Sequence, residues 1–88
     1  MNDFEVMDHI MARLRAAKAK LAAGDIGSAP SVADLADLAV HAARFFGTVQ
    51  EAADAALIGA AARQAWADSV ADFAAKRAAI RDAVRAAE

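Results

Sequence analysis

The chain has 88 residues, a formal net charge of −2 and no cysteine. A chain of this length forms one domain and buries only about 60% of the surface that its unfolded form exposes. The absence of Cys excludes a disulfide framework and a thiolate metal site, and the net negative charge argues against sequence-independent nucleic-acid binding as the main role. Because the N-terminus is acidic and no apolar stretch is long enough to span a bilayer, we expect a cytoplasmic protein.

Alanine dominates the hydrophobic content, with 29 of the 52 hydrophobic residues. It is the best intrinsic helix former, whereas the helix breakers are few, with Gly at 4 and Pro at 1. Only 23 larger apolar side chains remain to build a core, so the helices must approach one another closely. The composition predicts a single all-α domain over residues 1–88.

The first predicted helix spans about residues 3–23. Asp3, Glu5 and Asp8 lie at its start and basic residues lie toward its end, which complements the helix macrodipole. Gly24 is expected to stop the helix, and residues 24–30 are expected to form a loop. The apolar positions recur every three or four residues, as a buried helix face requires, and are Phe4, Met7, Met11, Leu14 and Leu21.

The second predicted helix spans about residues 31–46, with Ser31 as its N-cap and Gly47 just beyond its end. A wide apolar face suits a helix that lies between two others. The residues expected on that face are Leu35, Leu38, Ala39, Ala42, Phe45 and Phe46.

The third predicted helix spans about residues 48–87 and opens on a capping box formed by Thr48 and Glu51. The junction at Gly47-Thr48 is so short that helices two and three form a tight hairpin or a sharp bend. An unbroken third helix is about 58 Å long, whereas the second reaches only about 24 Å. The fold is therefore a three-helix antiparallel bundle, or a helical hairpin with a long C-terminal helix. The sequence leaves open whether that helix breaks at Gly59.

The C-terminal half of helix three carries a heptad-like apolar seam interrupted by one arginine, Arg77. The apolar residues of the seam are Trp66, Val70, Phe73, Ile80 and Val84. Helix one can cover this seam within the monomer, or a second copy of the chain can do so, which makes a homo-oligomer an expected state. Aromatic rings and arginines together have the composition of an interface hot spot. The candidate partner-binding residues are Arg63, Trp66, Val70, Phe73, Arg77 and Arg81.

The sequence predicts no catalytic residue, cofactor or metal site. The Ser and Thr residues have simpler roles as caps or loop residues, with no Cys to act as a nucleophile. Asp34, Asp37 and His41 share one helix flank, but no matching ligand cluster exists on another helix, so an ion-paired solvated flank is the favoured interpretation.

The favoured function is a non-catalytic protein–protein interaction module, such as a small helical adaptor, assembly factor or inhibitor, that presents the aromatic and arginine-bearing face to another protein. Phage or mobile-element proteins that block a host machine are often of this size and simple composition, but no residue selects such a protein over a chaperone-like or structural subunit. The alternative is a nucleic-acid-associated regulator that uses the same basic and aromatic strip, because Trp and Phe can stack on single-stranded bases.

Overall fold

A computed structural model describes residues 2–88, and this part of the chain is helical with no strand. Three α-helices follow one another: α1 spans Asp3–Ala22, α2 spans Ala29–Phe46 and α3 spans Val49–Ala87. A short 3₁₀ helix, Ile26–Ser28, lies between α1 and α2. The prediction of an all-α chain with three helices is confirmed.

Helix α1 has defined ends. The side chain of Asn2 accepts a hydrogen bond from the backbone amide of Glu5 at 2.9 Å, which caps the N-terminus. At the other end Gly24 has a φ of 101°, a left-handed conformation that costs glycine little, and its amide donates to the carbonyl of Leu21. Gly24 therefore stops α1, as the sequence predicts.

The N-terminus of α2 differs from its prediction. The helix begins at Ala29 and includes Pro30 in its first turn, where the missing amide hydrogen is not needed. Ser31 thus lies inside the helix, and the assignment of Ser31 as the N-cap is wrong. The preceding Ser28 does not cap α2 either, because its hydroxyl donates to the carbonyl of Asp25 at 2.6 Å.

The start of α3 agrees with its prediction. The Thr48 hydroxyl oxygen accepts from the Glu51 amide at 3.1 Å, and the Glu51 carboxylate accepts from the Thr48 amide at 3.0 Å. This capping box follows α2 after Gly47 alone, so α2 and α3 form a tight antiparallel hairpin. A Cβ on Gly47 would lie 2.9 Å from Cγ of Met7, so the absent side chain lets α1 pack beside the turn.

The core is built mostly from small side chains. Helix α1 contributes Met7, Met11 and Leu14, which are buried against α2 and the first half of α3. Helix α2 buries Val32 and a row of alanines, whereas Leu38, Phe45 and Phe46 are exposed, so the wide apolar face predicted for α2 is wrong in these three positions. The row consists of Ala29, Ala33, Ala36, Ala39, Ala42 and Ala43. The large side chains are displaced to the flanks because alanines allow the two helix axes to approach closely.

Gly59 lies where α2 and α3 pack closely against each other. It is buried between Ala55 and Ala62, and a Cβ built on it would lie only 3.1 Å from the Cβ of Ala36. Helix α3 continues through Gly59 without interruption. The glycine therefore serves close packing, and the break considered from the sequence is not present.

The three-helix bundle ends well before α3 does. Ala36 on α2 and Gly59 on α3 lie at the same level of the hairpin. Ala29, the first residue of α2, precedes Ala36 by seven residues, and Trp66 follows Gly59 by seven residues. Because the two helices are antiparallel, Ala29 lies at about the level of Trp66. Helix α3 continues from there to Ala87 with no fully buried residue after Ala62. The molecule is accordingly a narrow body of 67 × 18 × 14 Å. We refer to residues 67–87 as the free segment of α3.

We expect Thr48→Ala to lower the free energy of unfolding by about 1 kcal/mol, because it removes the oxygen that accepts the Glu51 amide. Ser31→Ala removes the same hydroxyl from inside α2 and should change this free energy by less than about 0.5 kcal/mol. Urea titration followed by circular dichroism measures both. Equal losses in the two variants would restore Ser31 as the cap of α2.

We expect Gly59→Leu to lower the free energy of unfolding by about 2–3 kcal/mol, because its side chain must enter the space held by Ala36. This loss should occur although Leu is a better helix former than Gly. The matched control is Ala78→Leu, at an exposed position on the free segment, which should cost less than about 0.5 kcal/mol. Thermal unfolding of the two variants makes the comparison, and similar melting temperatures would contradict a tight contact between α2 and α3.

Candidate interaction surface on the third helix

The residue spacing of α3 places one arginine and five large apolar side chains on one side of the helix. At 100° per residue these positions fall within about 80° of the helix circumference. All six are exposed, and the exposed fraction reaches 68% at Phe73 and 66% at Ile80. We call this surface the α3 face, and it comprises Trp66, Val70, Phe73, Arg77, Ile80 and Val84.

The α3 face continues the buried side of the same helix. Ala55, Gly59 and Ala62 pack against α2, and Trp66 follows Ala62 by four residues on the same side. Along this side of α3, small residues give way to large ones at the level of Ala29, the N-terminus of α2. The side of α3 that is covered in the bundle is thus uncovered in the free segment.

Helix α1 does not cover the α3 face. It ends at Ala22, and its buried residues contact α2 and the first half of α3. Trp66 remains 43% exposed. Of the two arrangements that the sequence left open, burial of this seam by helix one within the monomer is not observed.

The predicted site residues fall into two groups. Val70, Phe73, Arg77 and Arg81 lie on the free segment, with Trp66 at its base. Arg63 instead belongs to the bundle, because its guanidinium donates a hydrogen bond to the carboxylate of Asp37 on α2. That hydrogen bond, together with the negative charge of Asp37, raises the pKa of Arg63 above its usual value. Arg63 therefore joins α2 to α3 beside the α3 face.

The charges around the α3 face are unevenly distributed. Arg81 and Arg85 lie along one edge, and Arg77 lies within the face. On the other edge Lys76 is paired with Asp72 at 2.9 Å, an i,i+4 pair on the exposed surface. Among residues 2–88, Arg77 and Arg81 make no ion pair, so their positive charge is available to a partner.

On the flank considered for a metal, Asp37 and His41 each lie at hydrogen-bond distance from another group. His41 Nδ1 lies 2.8 Å from the backbone carbonyl of Asp37, and the carboxylate of Asp37 is bonded to Arg63. The described residues contain no group of three or more His, Asp or Glu side chains that could hold a metal ion. Nor do they include a buried polar or charged side chain.

The sequence does not indicate one further surface, an open cleft of about 500 Å³ between α1 and α2. Arg13, Lys20 and Asp25 line it together with Ser28 and Ser31. Ser31 reaches the cleft from the first turn of α2. Its cations are accompanied by a carboxylate, and its lining includes no fully buried polar side chain.

Comparison of the chain with known proteins finds no matching family model, no similar curated protein and no similar solved structure. Within residues 2–88, no helix is both long enough and apolar enough to cross a membrane.

We expect Trp66, the only tryptophan of the chain, to emit at longer wavelength in dilute solution than a buried indole does, because its ring is partly exposed. Iodide and acrylamide should both quench this emission. The urea-unfolded chain gives the limit for a fully exposed ring. Blue emission that is protected from iodide in the dilute monomer would contradict the open α3 face.

Proposed function

We propose that this protein is a non-catalytic protein–protein interaction module, a small helical adaptor, assembly factor or inhibitor that acts by binding another protein through the α3 face. The observation that carries the proposal is a continuous line of exposed large apolar side chains where α3 extends beyond the bundle. They are Trp66, Val70, Phe73, Ile80 and Val84. The chain has few large apolar side chains with which to build its small core, and burying these five would stabilise it. Their exposure is therefore unusual.

The size of the exposed line supports the proposal. Five large apolar side chains with exposed fractions between 43% and 68% present roughly 500 Å² of contiguous apolar surface. Apolar patches of this size on a monomer usually mark an interaction surface. Helix α3 holds them on one side of a regular helix, so a partner helix can contact them in register.

The composition of the face also supports a protein partner. Trp66 and Phe73 offer large rigid apolar rings, and Arg77, one turn beyond Phe73, offers five hydrogen-bond donors. A partner that supplies a carboxylate opposite Arg77 and apolar side chains on both sides would match this arrangement. A location in the cytoplasm is consistent with a chain that contains no cysteine.

We expect Phe73→Ala and Arg77→Ala together to weaken a protein complex captured from a source lysate by at least about tenfold, because both side chains lie at the centre of the α3 face. Phe73 and Arg77 lie outside the bundle, so circular dichroism and the melting temperature should stay close to those of the wild type. The matched control is Asp82→Ala, on the opposite side of the free segment. Quantitative mass spectrometry of the captured proteins measures the difference.

Arginine variants of the α3 face and its edge examine the nucleic-acid alternative. Binding of single-stranded nucleic acid at low salt that is lost with Arg77→Ala and Arg81→Ala would favour a nucleic-acid-associated regulator over a protein-binding module. Absence of any mobility shift at low salt, together with a protein complex that depends on Phe73, supports the proposal.

A further inference from the structure

Three arginines of α3 follow one another at intervals of four residues, so each lies one turn from the next. We call Arg77, Arg81 and Arg85 the arginine ridge. It begins within the α3 face at Arg77 and continues along one edge of that face. Like charges four residues apart repel each other on a helix. An opposite charge on another molecule would therefore stabilise this part of α3.

Neighbouring carboxylates and the helix macrodipole do not account for the arginine ridge. No Asp or Glu lies three or four residues from Arg77 or Arg81, the spacings at which side chains on a helix meet. On the opposite edge, by contrast, Lys76 has Asp72 as its partner. The macrodipole favours cations in the last turn, which includes Arg85, but Arg77 precedes the end of α3 by ten residues. Within residues 2–88, Arg77 and Arg81 therefore carry charge that no carboxylate balances.

The α3 face lies on the side of α3 that α2 covers in the bundle. Arg77 follows Gly59 by 18 residues, or five full turns, so both residues lie on the same line along the helix. Gly59 packs against Ala36 of α2, and α2 begins at Ala29, at about the level of Trp66. A helix placed on the α3 face would thus lie end to end with α2 and pack on α3 as α2 does.

We infer that the α3 face binds an acidic amphipathic helix of a partner protein, which brings carboxylates to Arg77 and Arg81. The inference rests on the proposed function, because it takes the α3 face as the binding surface and names the chemistry of its occupant. The apolar positions of the free segment recur in steps of three and four residues, the spacing at which one helix packs on another. From Val70 to Ala87 the free segment can accept a partner helix of about 18 residues.

The position of Arg77 is the reason that the partner must be acidic. Arg77 lies between Phe73 and Ile80 on the apolar line, so a helix that covers these side chains also takes the guanidinium partly out of water. A desolvated cation without a counter-charge is costly, whereas a carboxylate can accept two hydrogen bonds from a guanidinium. A carboxylate opposite Arg77 therefore turns the interruption of the apolar line into a specific contact.

A second copy of the free segment does not supply this carboxylate. Its three acidic residues, Asp68, Asp72 and Asp82, lie at least about 140° from Arg77 around the helix axis. When two such segments pair through their apolar lines, in either orientation, arginines approach one another and the carboxylates point away. Like charges so placed disfavour association.

Phosphate groups also carry negative charge, but the rest of the α3 face does not suit a nucleic acid or a lipid bilayer. Single-stranded bases stack on aromatic rings and would leave the aliphatic Val70, Ile80 and Val84 without apolar contact. A bilayer surface is flat, whereas α2 projects from this side of α3 by about 8–10 Å, the usual distance between packed helix axes. Helix α2 would hold the α3 face away from such a surface.

Two synthetic peptides of about 20 residues test this chemistry. Both carry leucines in steps of three and four residues on one side of a helix. The glutamate peptide has Glu within and beside the leucine line, and the lysine peptide has Lys at the same positions. Fluorescence anisotropy of the labelled peptides measures their binding to the full chain. We expect the glutamate peptide to bind at least about tenfold more tightly, because only its charges complement the arginine ridge.

Reversal of one charge identifies the contact. Arg77→Glu should weaken binding of the glutamate peptide at least about tenfold and strengthen binding of the lysine peptide. The matched control is Arg44→Glu, which changes the net charge equally at the exposed C-terminal end of α2 and should leave both dissociation constants within about twofold of the wild type. Circular dichroism verifies that both variants keep the same helix content.

The inference is wrong if the wild type binds neither peptide, binds both equally, or keeps its affinities for them in Arg77→Glu. Tighter binding of single-stranded oligodeoxythymidine than of the glutamate peptide would assign the α3 face to nucleic acid. Tighter binding of phosphatidylserine vesicles would assign it to a membrane. A dimer in analytical ultracentrifugation that the glutamate peptide does not dissociate would assign it to a second copy.

The lysate experiment separates this inference from the proposed function. A protein that binds neither peptide but still forms a lysate complex that depends on Phe73 would exclude the acidic helix and leave the proposed function standing. A protein with no peptide binding and no Phe73-dependent complex would remove both.

Discussion

The close contact between Ala36 on α2 and Gly59 on α3 is the constraint on which the rest of the structure depends. The chain has too few large apolar residues for an ordinary core, and it compensates by bringing two helix backbones together along a row of alanines and one glycine. Such packing gains dispersion contacts between backbones where side-chain bulk is missing. It also requires that large side chains stay off this row, which explains why Leu38, Phe45 and Phe46 lie outside the core.

Much of the fold is readable from the sequence because it depends on local chemistry. The left-handed glycine at Gly24 and the reciprocal hydrogen bonds of Thr48 and Glu51 act within a few residues, and both are found where the sequence places them. The start of α2 differs from its prediction for a local reason as well. Proline is tolerated in a first turn, so Pro30 reads equally well as the last residue of a loop or as part of the helix.

The composition of the α3 face is visible in the sequence, but its exposure is not. Spacing alone puts Trp66, Phe73 and Arg77 on one side of a helix. Whether that side is covered depends on how far α2 reaches along α3, which follows from the pairing of Ala36 with Gly59 and from the helix start at Ala29. No local signal encodes that register. Similarly, Asp37 and Arg63 lie 26 positions apart, and only the hairpin brings them together.

The continuity of α3 has an energetic consequence for its C-terminal end. An isolated peptide of about twenty residues must first form a helical nucleus, a step so unfavourable that short helices are marginal in water. Residues 67–87 avoid this step because the bundle has already fixed the preceding turns, from Val49 to Trp66. Each further turn then needs only propagation, which alanine favours. The bundle thus acts as a template that keeps an otherwise unsupported helix ordered before any contact with another molecule, so that association loses less conformational entropy.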